Sequence, residues 1–96
     1  MKILLVCNGG MSTSILMNNI RDYAQKNGLN IEVNAYGLGD YQEYMDGVDI
    51  LLLGPQISYK KKGIEASVSV PVMVVNALDY ATGNVKNILD EVNKKL

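Results

Sequence analysis

The chain has 96 residues, 48% of them hydrophobic and 20% charged, a composition that predicts one folded globular domain over residues 1–96. Nine basic and ten acidic residues give a net charge of −1, which does not favour binding to nucleic acid or to a membrane surface. The chain has no histidine and one cysteine, so it cannot hold a histidine-ligated metal, a Ser-His-Asp triad, an internal disulfide or a CxxC redox pair.

The first predicted element is a short apolar strand at Ile3–Val6, typical of a central strand that is buried on both faces. The apolar run ends at Cys7, which makes it too short for a signal peptide or a membrane span. A single thiol suits a reducing compartment. We therefore expect a cytoplasmic protein that does not itself span the membrane.

A helix is predicted over Ser12–Asn27, and Gly28 supplies its stop. Its apolar positions recur at helical spacing and are Ile15, Leu16, Ile20, Tyr23 and Ala24. The next strand alternates apolar and polar residues around Val33, as a half-exposed edge strand does.

The rest of the chain continues this alternation of strands and helices. The predicted elements are a short helix near Asp40–Met45, an apolar strand at Ile50–Leu53, a weak helix near Lys60–Ala66, a strand at Val70–Val75 and a closing helix from Val85 to Leu96 with Asn84 as its N-cap. Strands that alternate with helices form a parallel sheet through right-handed crossovers. The pattern predicts a compact, flavodoxin-like α/β domain with four parallel strands in the order 2-1-3-4 and helices on both faces.

The candidate site is the loop between the first strand and the first helix, because ligands of open parallel sheets bind at the carboxyl ends of the strands. Its residues are Cys7, Asn8, Gly9, Gly10, Met11, Ser12, Thr13 and Ser14. Two glycines allow several N–H groups to turn toward one point, and the helix N-terminus adds partial positive charge. Such a cradle fits a phosphoryl group and would stabilise a nucleophilic Cys7 thiolate.

The spacing invites comparison with the phosphate loop of low-molecular-weight tyrosine phosphatases, Cys-x5-Arg-Ser/Thr. Thr13 stands where those enzymes have arginine, and Arg21 lies roughly 12 Å further along the helix axis. Without that guanidinium, hydrolysis loses a source of transition-state stabilisation, so the loop suits a carrier that passes phosphate on. The alternatives are a small cysteine phosphatase or arsenate reductase, a flavin or nucleotide carrier, and a regulatory domain that reads phosphorylation without transporting sugar.

Other polar residues follow the third and fourth strands at the same edge of the predicted sheet. Gln56, Ser58 and Tyr59 either form a wall of the site or a partner contact, or belong to an ordinary turn. Tyr80 is placed similarly, whereas Asp79 is more typical of a helix cap.

Three segments together resemble the cytoplasmic IIB components of the phosphoenolpyruvate-dependent sugar phosphotransferase system, lactose/cellobiose/chitobiose family, over essentially the whole chain. They are Leu5-Val6-Cys7-Asn8-Gly9-Gly10-Met11-Ser12-Thr13-Ser14, Leu52-Leu53-Gly54-Pro55-Gln56-Ile57-Ser58-Tyr59 and Ala77-Leu78-Asp79-Tyr80. One departure is Gly9-Gly10, where many relatives carry a small residue before a single glycine.

The resemblance implies that Cys7 is a phosphocysteine nucleophile. It would take phosphate from a histidine of a IIA protein and pass it to a sugar held by a membrane IIC permease, a β-linked disaccharide such as cellobiose, chitobiose or lactose. This scheme needs no metal or cofactor in the chain itself, and we expect the chain to be a monomer.

Overall fold

Four parallel strands form one sheet in the order β2-β1-β3-β4, which confirms the predicted topology. The computed structural model describes the backbone of residues 1–8 and 11–96 and the side chains of residues 1–8 and 13–96. The strands are β1 (Lys2–Cys7), β2 (Glu32–Gly37), β3 (Ile50–Leu53) and β4 (Val72–Val74).

Helices connect the strands and cover the sheet. They are α1 (Met11–Lys26), α2 (Lys61–Ser67), α3 (Ala77–Thr82) and α4 (Val85–Lys95), with two 3₁₀ segments at Tyr41–Tyr44 and Pro55–Lys60. The crossover from β2 to β3 holds only the first 3₁₀ segment, at the place where a short helix was predicted.

The register brings the ends of the central strands together. Val6 of β1 pairs with Leu53 of β3, and Cys7 pairs with Gly37 of β2. Because the pairing is parallel, the residues that follow these positions all leave the sheet at its carboxyl edge.

Strand β1 is buried on both faces, as its apolar sequence predicts. Ile3 and Leu5 pack with α1 and α4, whereas Leu4 and Val6 pack on the other face with α2 and the 3₁₀ segments. The alternation of neighbouring side chains therefore divides the core into two halves, one on each side of the sheet.

The structure differs from the prediction in the extent of one strand and in one additional helix. Strand β4 covers only Val72–Val74 of the predicted Val70–Val75, although the Pro71 carbonyl still accepts a hydrogen bond from Leu51 N–H. Helix α3 was not predicted, because six residues are too few to display a helical period. Asn76 is its N-cap, accepting bonds from the N–H groups of Leu78 and Asp79, so the expectation that Asp79 caps a helix was wrong.

Candidate functional site

Cys7 is the last residue of β1, and its free thiol is half-buried at the carboxyl edge of the sheet. Its backbone carbonyl accepts a hydrogen bond from Leu38 N–H at 3.1 Å, which fixes the strand end against the turn that follows β2. Helix α1 begins at Met11, only four residues further on. The start of that helix must therefore lie within about 14 Å of the Cys7 Cα, even if the chain between them were fully extended.

The predicted phosphate-loop residues differ in how far their side chains are buried. Asn8 and Ser14 have exposed side chains, whereas Thr13, in the first turn of α1, is only 3% exposed. Gly9 and Gly10 lie outside the described residues, as do the side chains of Met11 and Ser12. Among the hydroxyls described at the start of α1, that of Thr13 is therefore the one held inside the protein.

The Thr13 hydroxyl is paired with a residue of the predicted wall. Its Oγ1 atom lies 2.9 Å from the phenolic oxygen of Tyr80 on α3, and either hydroxyl can donate. This contact joins the start of α1 to the segment after β4. The two residues are 67 positions apart, and nothing in the local sequence signals their pairing.

Gly54, directly after β3, is the point where Gln56 and Tyr80 converge. Its N–H donates to the carbonyl of Val6 at 3.2 Å, next to Cys7 in the chain. A Cβ built on Gly54 would lie 2.9 Å from Gln56 Oε1 and 3.9 Å from the Tyr80 hydroxyl. The missing side chain therefore leaves room for both polar groups beside the end of β1. The sequence marked Gly54 only as the end of a strand.

Ser58 and Tyr59 belong to the outer surface around the site. Both lie on the second 3₁₀ segment with exposed side chains, and the Lys60 ammonium lies 5.6 Å from the centre of the Tyr59 ring.

Two exposed apolar residues flank the same end of the molecule. Ile15 on α1 is 58% exposed, although it belongs to the apolar positions that recur at helical spacing. Leu78 on α3 is 70% exposed. Between their helices runs a groove of about 250 Å³, lined by Ile15, Leu16, Asn19 and residues 80–83. Exposed apolar side chains that flank a groove are typical of a contact surface.

Asp79, the neighbour of Tyr80 in the chain, contacts helix α4. Its side chain is 7% exposed, and Oδ2 accepts a hydrogen bond of 2.6 Å from Asn87 Nδ2 on α4. The carboxylate therefore joins α3 to α4 and holds the helix that carries Tyr80.

The groups described at this edge of the sheet include the Cys7 thiol and the hydroxyls of Thr13 and Tyr80. Within residues 1–8 and 11–96, no cluster of three or more cysteine, aspartate or glutamate side chains is suitable for a metal ion. In the same ranges, no helix has the length and apolarity that crossing a bilayer requires. A half-buried thiol close to a helix N-terminus is suited to nucleophilic attack and to binding an anion.

Known proteins match this chain over nearly its full length. The family model described as "PTS system, Lactose/Cellobiose specific IIB subunit" matches residues 2–91. A relative named as the oligo-beta-mannoside-specific EIIB component of the phosphotransferase system (PTS) of Bacillus subtilis is 33% identical over 94% of this chain and 90% of its own length. A galactose-specific EIIB component from Lactococcus lactis subsp. cremoris is 35% identical over 81% of this chain and 80% of its own length.

Two solved structures share the fold. The cellobiose-specific IIB component of Borrelia burgdorferi superposes with a TM-score of 0.76 at 36% identity, over 94% of this chain and 85% of that one. The lactose-specific IIB domain of Streptococcus pneumoniae gives a TM-score of 0.82 at 17% identity, over 94% of this chain and 95% of that one. The family match over residues 2–91 and these relatives place the chain among phosphotransferases, and it belongs to the lactose/cellobiose-specific IIB family of the sugar phosphotransferase system.

Proposed function

We propose that the chain is the phosphoryl carrier between a IIA protein and a membrane IIC permease, and that Cys7 is the residue that is phosphorylated. The observation that carries this proposal is the position of the chain's one thiol, which ends β1 only four residues before α1 begins. Family membership supports the same role.

In the first step the Cys7 thiolate attacks the phosphorus of a phosphohistidine on IIA. A P–S bond forms and the P–N bond breaks, with its electron pair remaining on the imidazole nitrogen. In the second step a sugar hydroxyl attacks the same phosphorus, the P–S bond breaks and the thiolate is regenerated, while the hydroxyl proton passes to a base of the partner. The histidine and the base are supplied by other proteins, which agrees with a chain that has no histidine.

The chain's own contribution is to position the phosphoryl group and to neutralise its charge. N–H groups of the loop from Asn8 to Ser14, at the N-terminus of α1, would stabilise the equatorial oxygens in both steps. Gln56 and Tyr80 would limit the site on the side of β3.

Family membership implies a IIA protein and a IIC permease as the partners. Ile15 and Leu78 offer an apolar rim against which IIA and IIC would dock in turn. We propose that the chain works in the cytoplasm as a monomer. The sugar would be a β-linked disaccharide held by IIC, as the lactose/cellobiose specificity of the family suggests.

Intact-mass measurement tests the carrier function directly. The purified chain is incubated with phosphoenolpyruvate, the two general phosphotransfer proteins and a IIA protein of the lactose/cellobiose class. We expect a gain of one phosphoryl group that depends on IIA and disappears in Cys7→Ala. Retention of the phosphate in Cys7→Ala would contradict the assignment of Cys7, and rapid hydrolysis of aryl phosphates by the unmodified chain would favour a phosphatase.

A further inference from the structure

We propose that Tyr80 is a positioning residue for phosphoryl transfer and that it acts through the hydroxyl of Thr13. This inference rests on the proposed function of Cys7 as a phosphoryl carrier. Its basis is the 2.9 Å contact between the two hydroxyl oxygens, one on α3 and the other in the first turn of α1.

The burial of Thr13 explains why its partner is important. At 3% exposure, its side chain has little access to water, so the hydroxyl depends on a protein partner. A threonine hydroxyl has one proton to donate and two lone pairs that accept. When Tyr80 donates to Thr13 Oγ1, the Thr13 proton remains available for an anion at the start of α1. Donation along this line polarises both hydroxyls in the same direction.

Tyr80 also lies close to the end of β3, on the other side of the site. Its hydroxyl would lie 3.9 Å from a Cβ on Gly54, whose N–H is bonded to the carbonyl of Val6. Tyr80 therefore contacts Thr13 at the start of the helix after Cys7 and lies near the neighbouring strand end at Gly54. A rigid side chain in that place sets the spacing between the thiol and the N–H groups of α1.

The helix that carries Tyr80 is itself well anchored. Asn76 caps its start, Gly83 ends it in the left-handed conformation with φ of 68°, and Asp79 is bonded to α4. The Tyr80 ring is consequently fixed by the fold before any phosphate arrives, which is the condition for a preorganised site.

The test is single-turnover phosphorylation of Tyr80→Phe by phosphorylated IIA, followed over a range of IIA concentrations. We expect the maximal rate to fall about tenfold, because small displacements of a transfer site have large effects on rate. The half-saturating IIA concentration should change less than twofold, since the phenyl ring and the outer surface are kept. Tyr44→Phe, which removes a hydroxyl from an exposed and stacked ring, is the matched control.

Variants of Thr13 distinguish a positioning role of Tyr80 from a general loss of stability. Thr13→Val should lose as much rate as Tyr80→Phe, Thr13→Ser should retain most of it, and the double variant Tyr80→Phe/Thr13→Val should lose no more than either single one. The phosphorus-31 shift of the phosphocysteine should move in Tyr80→Phe, whereas a loss of stability alone would leave it unchanged.

The outcomes distinguish this inference from the function on which it rests. A wild-type chain that takes up no phosphoryl group would overturn the carrier function. A phosphorylated wild type with Tyr80→Phe within twofold of its rate would overturn the role of Tyr80 alone. Additive losses in the double variant would show that Tyr80 does not act through Thr13.

Discussion

Arg21 of α1 donates a hydrogen bond from Nη2 to the carbonyl oxygen of Val33 on β2, at 2.8 Å. The Nε atom contacts the same carbonyl at 3.2 Å, and Nη2 also reaches the side chain of Asn34. The chain's one arginine therefore holds α1 against the edge strand. A phosphatase of the Cys-x5-Arg type would instead direct such a group at the phosphate, so this contact supports a carrier over a hydrolase.

Arg21→Met should lower the stability of the fold without changing the rate of phosphoryl transfer. Losing the bonds to β2 should lower the free energy of unfolding by about 1 kcal/mol, since the side chain is exposed. Phosphorylation of Cys7 by IIA should proceed at the wild-type rate. Urea unfolding and the mass assay measure the two effects, and a large loss of phosphotransfer at unchanged stability would assign Arg21 to the site.

Gly54→Ala should change the site with little effect on folding. The backbone at Gly54 has φ of −62°, which alanine adopts freely, but the new methyl would meet Gln56 Oε1 at 2.9 Å. Since Gln56 is exposed and flexible, it would swing away and the free energy of unfolding should change by less than about 1 kcal/mol. We expect a severalfold slower phosphotransfer, matched by Gln56→Ala.

Gly63→Ala provides the control for that substitution. Gly63 lies in α2, and nothing is within 4 Å of its added Cβ. The change should raise stability by up to about 1 kcal/mol through helix propensity and leave the transfer rate unchanged. A Gly54→Ala variant with a wild-type rate would exclude a contribution of Gln56.

Asn87→Ala should destabilise the pair of helices at the end of the chain. It removes the 2.6 Å hydrogen bond to the buried Asp79 carboxylate, which is expected to cost about 1–3 kcal/mol. Asn93→Ala, on the exposed side of the same helix, shares the gain in helix propensity and serves as the control. Equal unfolding free energies for the two variants would show that the Asp79 bond contributes nothing.

Substitution of two isoleucines of α1 should affect different properties. Ile20→Ala should lower stability, whereas Ile15→Ala should weaken docking. Ile20 is fully buried, so Ile20→Ala should cost about 2–5 kcal/mol. Ile15→Ala should change stability by less than about 0.5 kcal/mol but raise the IIA concentration needed for half-maximal phosphorylation. An unchanged concentration dependence in Ile15→Ala would remove Ile15 from the docking surface.

Local patterns in the sequence predicted the framework because they depend on burial alone. The apolar run at Ile3–Val6 marked a strand covered on both faces, and the alternation around Val33 marked an edge strand. Together these patterns were enough for the strand order. Cys7 and the start of α1 are also close in sequence, so the chain brings them together whatever the rest of the fold does.

The contacts that complete the site were decided only by the tertiary structure. Thr13 meets Tyr80, and Arg21 reaches Val33, through the packing of helices onto the sheet. Ile15 recurs at helical spacing with the buried residues of α1 yet is exposed, because it borders the groove between α1 and α3. Hydrophobic periodicity indicates which residues of a helix or strand face the core. It does not indicate which distant residue each of them contacts, since that depends on the angles and offsets at which helices and strands pack.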